Sequence, residues 1–111
     1  HLQADLYKVV SWAKAQDRKW AFTLSNAGSL YFEDRSELTK LSEIDWNAIE
    51  ARDWRDLKEK KQAEFLLEGS FPWHLIECIG VRTDNTLNKV RQALLSTRHR
   101  PSADIVPAWY Y

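Results

Sequence analysis

Apolar positions along the chain change their spacing several times, and each change marks a different element. Between residues 3 and 16, Leu6, Val9, Val10 and Ala13 recur at three- and four-residue intervals, with Leu2 one turn earlier. That spacing lays an apolar stripe along one face and predicts an amphipathic helix over 3–16. KWAFTL (19–24) is rich in aromatic and strand-forming residues and predicts a strand. It ends in SNAGS (25–29), where Asn and Gly accept turn geometry; the residues just after it, to 34, read as extended or irregular. Residues 35–41 have the pattern of a short helix. DWNAIEARDW (45–54) places Trp46 and Ile49 one turn apart and reads as a helix or an irregular loop. The charged run RDLKEKK (55–61) leads into QAEFLLE (62–68), a second strand. Pro72 in GSFPW (69–73) cannot donate a ladder hydrogen bond and marks a turn. HLIECIGVR (74–82) predicts a third strand. Asp84 or Asn85 can cap a helix running to about Ser96, with Leu87, Val90 and Leu94 on one face. A last short strand falls at 104–106, between two prolines. Strands and helices interleave with little regular βαβ alternation, so the expected fold class is α+β.

Composition narrows the picture. A chain of 111 residues supports one domain with a modest core, and six Trp make it rich in aromatics. Sixteen basic and sixteen acidic residues balance, so net charge gives no global argument for nucleic acid or membrane. The distribution is less even. Arg82, Lys89, Arg91, Arg98 and Arg100 face a single acid, Asp84, over 82–100, which makes a local basic patch. The single cysteine, Cys78, lies in an apolar run and reads as a small buried hydrophobe in a reduced, cytoplasmic setting. No apolar stretch is long enough to span a bilayer. His1, His74 and His99 stand far apart without ligand neighbours, so no metal site is expected. Glycine-rich phosphate loops are absent.

Two constellations remain. Lys58, Lys60, Lys61, Arg91, Arg98 and Arg100 lie among Trp46, Trp54, Trp73 and Trp109. Cations hold phosphates and exposed aromatics stack on unpaired bases, so a single-stranded nucleic-acid groove is one reading. The other is that the tryptophans form core and the lysines a solvated edge. Glu64 is the second. Strand alternation puts Gln62, Glu64 and Leu66 on one face and Ala63, Phe65 and Leu67 on the other. A carboxylate entering an apolar strand is either a catalytic group in a cleft or the acid of an ion pair, with Arg82 as a candidate partner.

Three stretches carry a resemblance. SEIDW (42–46), KKQAEFLLEGSFPWHLIECIGV (60–81) and HRPSADIVPAWYY (99–111) occur in that order and resemble the C-terminal half of the DarT family, the toxins of DarT–DarG toxin–antitoxin systems. AFTLSNAG (21–28) is similar to the family's phenylalanine–threonine–aspartate motif, with Leu24 where the aspartate usually stands. The resemblance covers nearly the whole chain, 1–111, as the C-terminal part of a single ADP-ribosyltransferase domain. It implies a split central sheet with surrounding helices and transfer of ADP-ribose from NAD to thymine in single-stranded DNA. The family's catalytic glutamate maps onto Glu64. Its substrate-recognition loop maps onto about 29–61. Asn26, Lys58, Lys60, Lys61, Arg98 and Arg100 are the expected substrate and DNA contacts. The resemblance further implies two protein partners. One is a DarG-like antitoxin with a macrodomain. The other is an N-terminal half of the same protein, carrying an NAD-anchoring histidine and a catalytic arginine. The alternative is a fragment that binds single-stranded DNA or antitoxin without chemistry of its own.

Overall fold

A computed structural model of the chain describes residues 1–28, 33–51 and 61–110. In chain order the described elements are β1 (Leu2–Ala4), α1 (Leu6–Ala15), β2 (Trp20–Thr23), β3 (Asp34–Arg35), α2 (Trp46–Glu50), β4 (Phe65–Leu67), β5 (Ile76–Val81), α3 (Asp84–Leu94) and β6 (Ser102–Ile105). Single 3₁₀ segments cover Leu38–Glu43, Trp73–Leu75 and Pro107–Trp109. The strands form two three-stranded sheets, ordered β1-β5-β6 and β3-β2-β4. This is the expected α+β class with a split sheet. Each sheet belongs to one of two compact units: His1–Ala15 with Ser70–Tyr111, and Gln16–Gly69.

In the first unit β5 is the central strand. It pairs antiparallel with β1 and parallel with β6. The parallel pair needs a crossover, and α3 supplies it. The β5 residues Ile76, Ile79 and Val81 and the α3 residues Leu87 and Leu94 form a buried cluster, with Ala4, Val90 and Ala103 packed against it. Each such side chain contributes about 1.5–3 kcal/mol by leaving water. The helix begins where its sequence allows: Thr83 is the N-cap, its hydroxyl accepting from the Thr86 N–H at 3.3 Å. The cap therefore sits one residue before the Asp84 or Asn85 expected, which leaves the Asp84 carboxylate in the first turn, where the helix dipole favours it. On α1, Val9, Val10 and Ala13 are buried, and Lys8 pairs with Glu77 of β5. The hydrogen bond to Glu77, and then its negative charge, hold the Lys8 ammonium above its ordinary pKa.

The C-terminal stretch closes over β5. The Tyr110 hydroxyl donates to the Gly80 carbonyl at 3.0 Å, and the Trp109 ring lies against Gly80. A β-carbon on Gly80 would stand 2.1 Å from Trp109 Cε3. Only glycine lets the indole approach this closely.

In the second unit β2 is central. Its Phe22 is buried and faces Phe65 across the β2–β4 ladder, while Trp20 stacks on Phe65 with centroids 6.0 Å apart. β3 joins the other edge through Phe22↔Arg35 and Thr23↔Asp34. The Arg35 guanidinium then ties β3 to the following 3₁₀ segment. Its Nε donates to Glu43 at 2.7 Å and its Nη2 to Glu33 at 2.9 Å. Those bonds, Glu43 first, push the Arg35 pKa further up. α2 is capped by Asp45, whose carboxylate accepts from the Ala48 N–H at 3.0 Å.

Candidate active site around Glu64

The β2–β4 ladder pairs Ala21 with Leu66 and Phe22 with Phe65, so the next rung joins Thr23 to Glu64. That rung is unusual. The Thr23 N–H donates to the Glu64 carbonyl at 2.8 Å, as a regular antiparallel pair requires. The returning bond is different: the Glu64 N–H donates to Thr23 Oγ1, also at 2.8 Å. A side-chain hydroxyl has replaced a backbone carbonyl. Thr23 is fully buried, and its hydroxyl lies within 3.4 Å of the Glu64 carbonyl as well. The far end of the ladder ends in the same way. Glu68 N–H donates to the Lys19 carbonyl at 2.9 Å, and the Lys19 N–H donates to Glu68 Oε2 at 2.9 Å.

Glu64 itself is exposed. Ion pairs join Lys8 to Glu77 and Arg35 to Glu33 and Glu43, and Glu64 takes part in none of these. Its backbone is fixed while its carboxylate is left available. The ladder places Thr23, Ala21, Leu66 and Glu64 on one sheet face, with Phe22, Phe65 and Leu67 on the other. A surface groove of about 650 Å³ runs towards the far end of this ladder, lined by Arg18, Lys19, Trp20, Leu66 and Glu68 among others; Glu64 does not line it. Its volume is within the range that holds small-molecule ligands.

The residues expected to contact substrate have different surroundings. Asn26 donates from Nδ2 to Gln62 Oε1 at 3.0 Å, while its Oδ1 accepts from the Gly28 N–H at 2.8 Å. The second bond fixes which end of the amide is which. One amide atom thus ties residue 26 to Gln62 and the other closes its own turn at Gly28. Lys61 reaches back to α2 and donates to the carbonyls of Ile49 at 2.5 Å and Ala51 at 2.7 Å. A cation at the carbonyl end of a helix satisfies acceptors that have no partner within the helix. Lys58 and Lys60 lie outside the described residues, as does Trp54. Arg98 and Arg100 belong to the other unit. Arg100 donates to the Leu95 carbonyl at 2.8 Å and the Thr97 carbonyl at 3.2 Å, just past α3. Arg98 is exposed. Among the described residues, no three His, Cys, Asp or Glu side chains lie close enough to hold a metal ion. No helix among them is long and apolar enough to cross a membrane.

The residues alone do not show Arg35 as part of this sheet, nor the bonds that Thr23 and Gln62 make here. Thr23 stands in the AFTLSNAG stretch, but what its hydroxyl does becomes visible only with the strand register, because it depends on what stands opposite.

Comparison with known proteins gives a consistent result. A family model described as ssDNA thymidine ADP-ribosyltransferase, DarT, matches residues 1–111. A DNA ADP-ribosyl transferase of Thermus aquaticus is 38% identical over 95 residues, covering 83% of this chain and 42% of that protein. Another, from Thermus sp. (strain 2.9), is 42% identical over 80 residues, covering 68% of this chain and 38% of that protein. Among solved structures, Thermus sp. 2.9 DarT in complex with ADP-ribosylated ssDNA superposes with a TM-score of 0.86 at 32% identity, over 100% of this chain and 54% of that one. The same DarT in complex with NAD+ gives 0.81 at 33% identity, over 91% of this chain and 54% of that one. The chain thus spans about two fifths of these curated relatives and about half of the solved chains. A match from the first residue to the last, joined to a shared split-sheet fold, shows that the chain belongs to the DarT family.

Proposed function

We propose that this chain supplies the catalytic-glutamate part of an enzyme that transfers ADP-ribose from NAD to thymine in single-stranded DNA. The observation that carries this reading is Glu64: a carboxylate exposed on a sheet face, with its backbone held on both sides by Thr23. Breaking the nicotinamide–ribose bond develops oxocarbenium charge on the sugar. A carboxylate already fixed in place can accept a hydrogen bond from a ribose hydroxyl and stabilise that charge more in the transition state than in the ground state. The solved relatives support the two substrates, since one is in complex with NAD+ and another with ADP-ribosylated ssDNA.

DNA contacts are assigned by availability. Arg98 presents an exposed guanidinium in the basic stretch, and Lys58 and Lys60 complete the expected cationic approach before Glu64. Family membership supports a toxin role, opposed by a DarG-like antitoxin with a macrodomain, in the bacterial cytoplasm where the DNA target lies. An N-terminal half of the same protein supplies the remaining NAD contacts. The test uses the full protein, NAD and two single-stranded oligonucleotides matched except for thymine. The expected result is release of nicotinamide and a mass gain of one ADP-ribose on the thymine-containing strand alone. Equal modification of both strands, or of neither, contradicts the proposal.

A further inference from the structure

Resting on the reading of Glu64 as the catalytic residue, we infer that Thr23 is its positioning residue, assisted by an Asn26–Gln62 rung two residues upstream. The ladder geometry is the starting point. At a hydrogen-bonded antiparallel pair, each residue normally donates its N–H to the carbonyl opposite. At Thr23–Glu64 one of those bonds runs to a hydroxyl instead. Glu64 therefore sits at the point where the backbone ladder stops and a side chain takes over.

The substitution has a consequence for the carboxylate. Beyond the last backbone rung a strand end frays, because nothing fixes its φ and ψ. Thr23 Oγ1 prevents this for one more residue. Thr23 is β-branched, so its χ1 is stiff, and it is fully buried, so its hydroxyl has little freedom to turn elsewhere. Both of its polar contacts are to the Glu64 backbone. The peptide that carries the carboxylate is thus fixed from the interior of the sheet, and the side chain projects from a fixed root.

One step further along, the backbone pairing has ended altogether. There the Asn26 amide donates to Gln62 at 3.0 Å. Gln62 lies in a turn just ahead of the strand. Asn26 is itself anchored by accepting from Gly28 N–H. Residues 62 and 64 are consequently held by successive side-chain rungs reaching across from 23 and 26. Neither Thr23 nor Asn26 has to touch NAD or DNA to affect the reaction. They act through the placement of Glu64, and a misplacement of a catalytic group by about 1 Å can cost about a hundredfold in rate.

The experiment compares Thr23→Val, Thr23→Ser and Glu64→Gln in the full protein, measuring kcat and KM for NAD separately with a thymine-containing strand. Valine keeps the shape and removes the hydroxyl; serine keeps the hydroxyl. For Thr23→Val the expected result is a kcat reduced about tenfold or more, with KM for NAD changed less than about twofold, as for an interaction expressed in the transition state. Thr23→Ser is expected to recover most of the lost kcat, which a general loss of fold stability would not predict. If Thr23→Val does not fold, Gln62→Leu decides, because it removes the acceptor of the second rung at an unpacked strand end; its kcat is expected to fall while KM holds. A wild-type kcat in Thr23→Val, or in Gln62→Leu when the first variant is unfolded, overturns the positioning role and leaves the catalytic reading of Glu64 intact, provided Glu64→Gln is inactive. Full activity in Glu64→Gln overturns both. Equal impairment of Thr23→Val and Thr23→Ser also overturns the positioning role.

Discussion

Two arginines two residues apart do different work. Arg100 donates to the carbonyls of Leu95 and Thr97 and so satisfies acceptors left over at the end of α3. Arg98 is exposed and remains available to a ligand. Arg100→Ala should lower stability by about 1 kcal/mol through the lost hydrogen bonds, readable as a shift of the denaturant midpoint. Arg98→Ala should leave that midpoint in place and weaken single-stranded DNA binding at low salt, reducing the magnitude of the salt slope by about 0.7 if the contact is to one phosphate. Sequence reading grouped the two because both are basic and both lie near the chain's aromatic C-terminal stretch. What separates them is the position of the α3 carbonyls, and that depends on where the helix stops. Lys61 illustrates the same point: its sequence neighbours suggest a cationic loop, yet the α2 carbonyls take its ammonium. Glu64 was legible as an anomaly, one charge in an apolar strand, but the residues alone left an ion pair and a catalytic role open.

At the scale of elements, the caps and close contacts set local stability. Thr83→Ala removes the α3 N-cap and should cost about 1 kcal/mol. Gly80→Ala puts a methyl group into the Trp109 ring. An overpacked contact of this kind should cost about 1–3 kcal/mol. Combining Gly80→Ala with Trp109→Ala should cost less than the two changes summed, since the second removes the clash created by the first; thermal unfolding of the four proteins checks this. Strong periodicity made α1, β2, β5 and α3 legible to within a few residues, because their apolar sides are buried and the pattern records it. The apolar spacing places most of β1 in the first turn of the expected helix over 3–16. β1 is a three-residue strand with exposed Leu2 and Gln3, held by backbone pairing to β5, and backbone pairing leaves no apolar pattern. β3 was hidden for the same reason: two charged residues pair through their backbones, and the helix expected from 35 begins only as a 3₁₀ segment at Leu38. β4 is shorter than the strand expected over 62–68, because at both ends side chains take over from the backbone ladder.

This chain's zero net charge means that any attraction it contributes to DNA comes from a local patch rather than an overall field. Five basic residues against one acid over 82–100 provide such a patch. Affinity for a single strand should therefore fall with salt along a log–log slope of about −0.7 per phosphate neutralised, and the slope should correspond to a few contacts. A salt-independent affinity would point to stacking on aromatics alone. On the proposed function, the basic patch would gather the strand and the Glu64 carboxylate, on a fixed strand end, would stabilise the developing charge. The most direct measurement is transfer of ADP-ribose from NAD to a thymine-containing single strand by the full protein and by its Glu64→Ala form, at matched stability and DNA affinity. The account predicts that the variant binds the strand, stays folded and loses transfer by at least about a hundredfold, on the scale of losing one preorganised electrostatic group. Transfer at the wild-type rate by Glu64→Ala would contradict it.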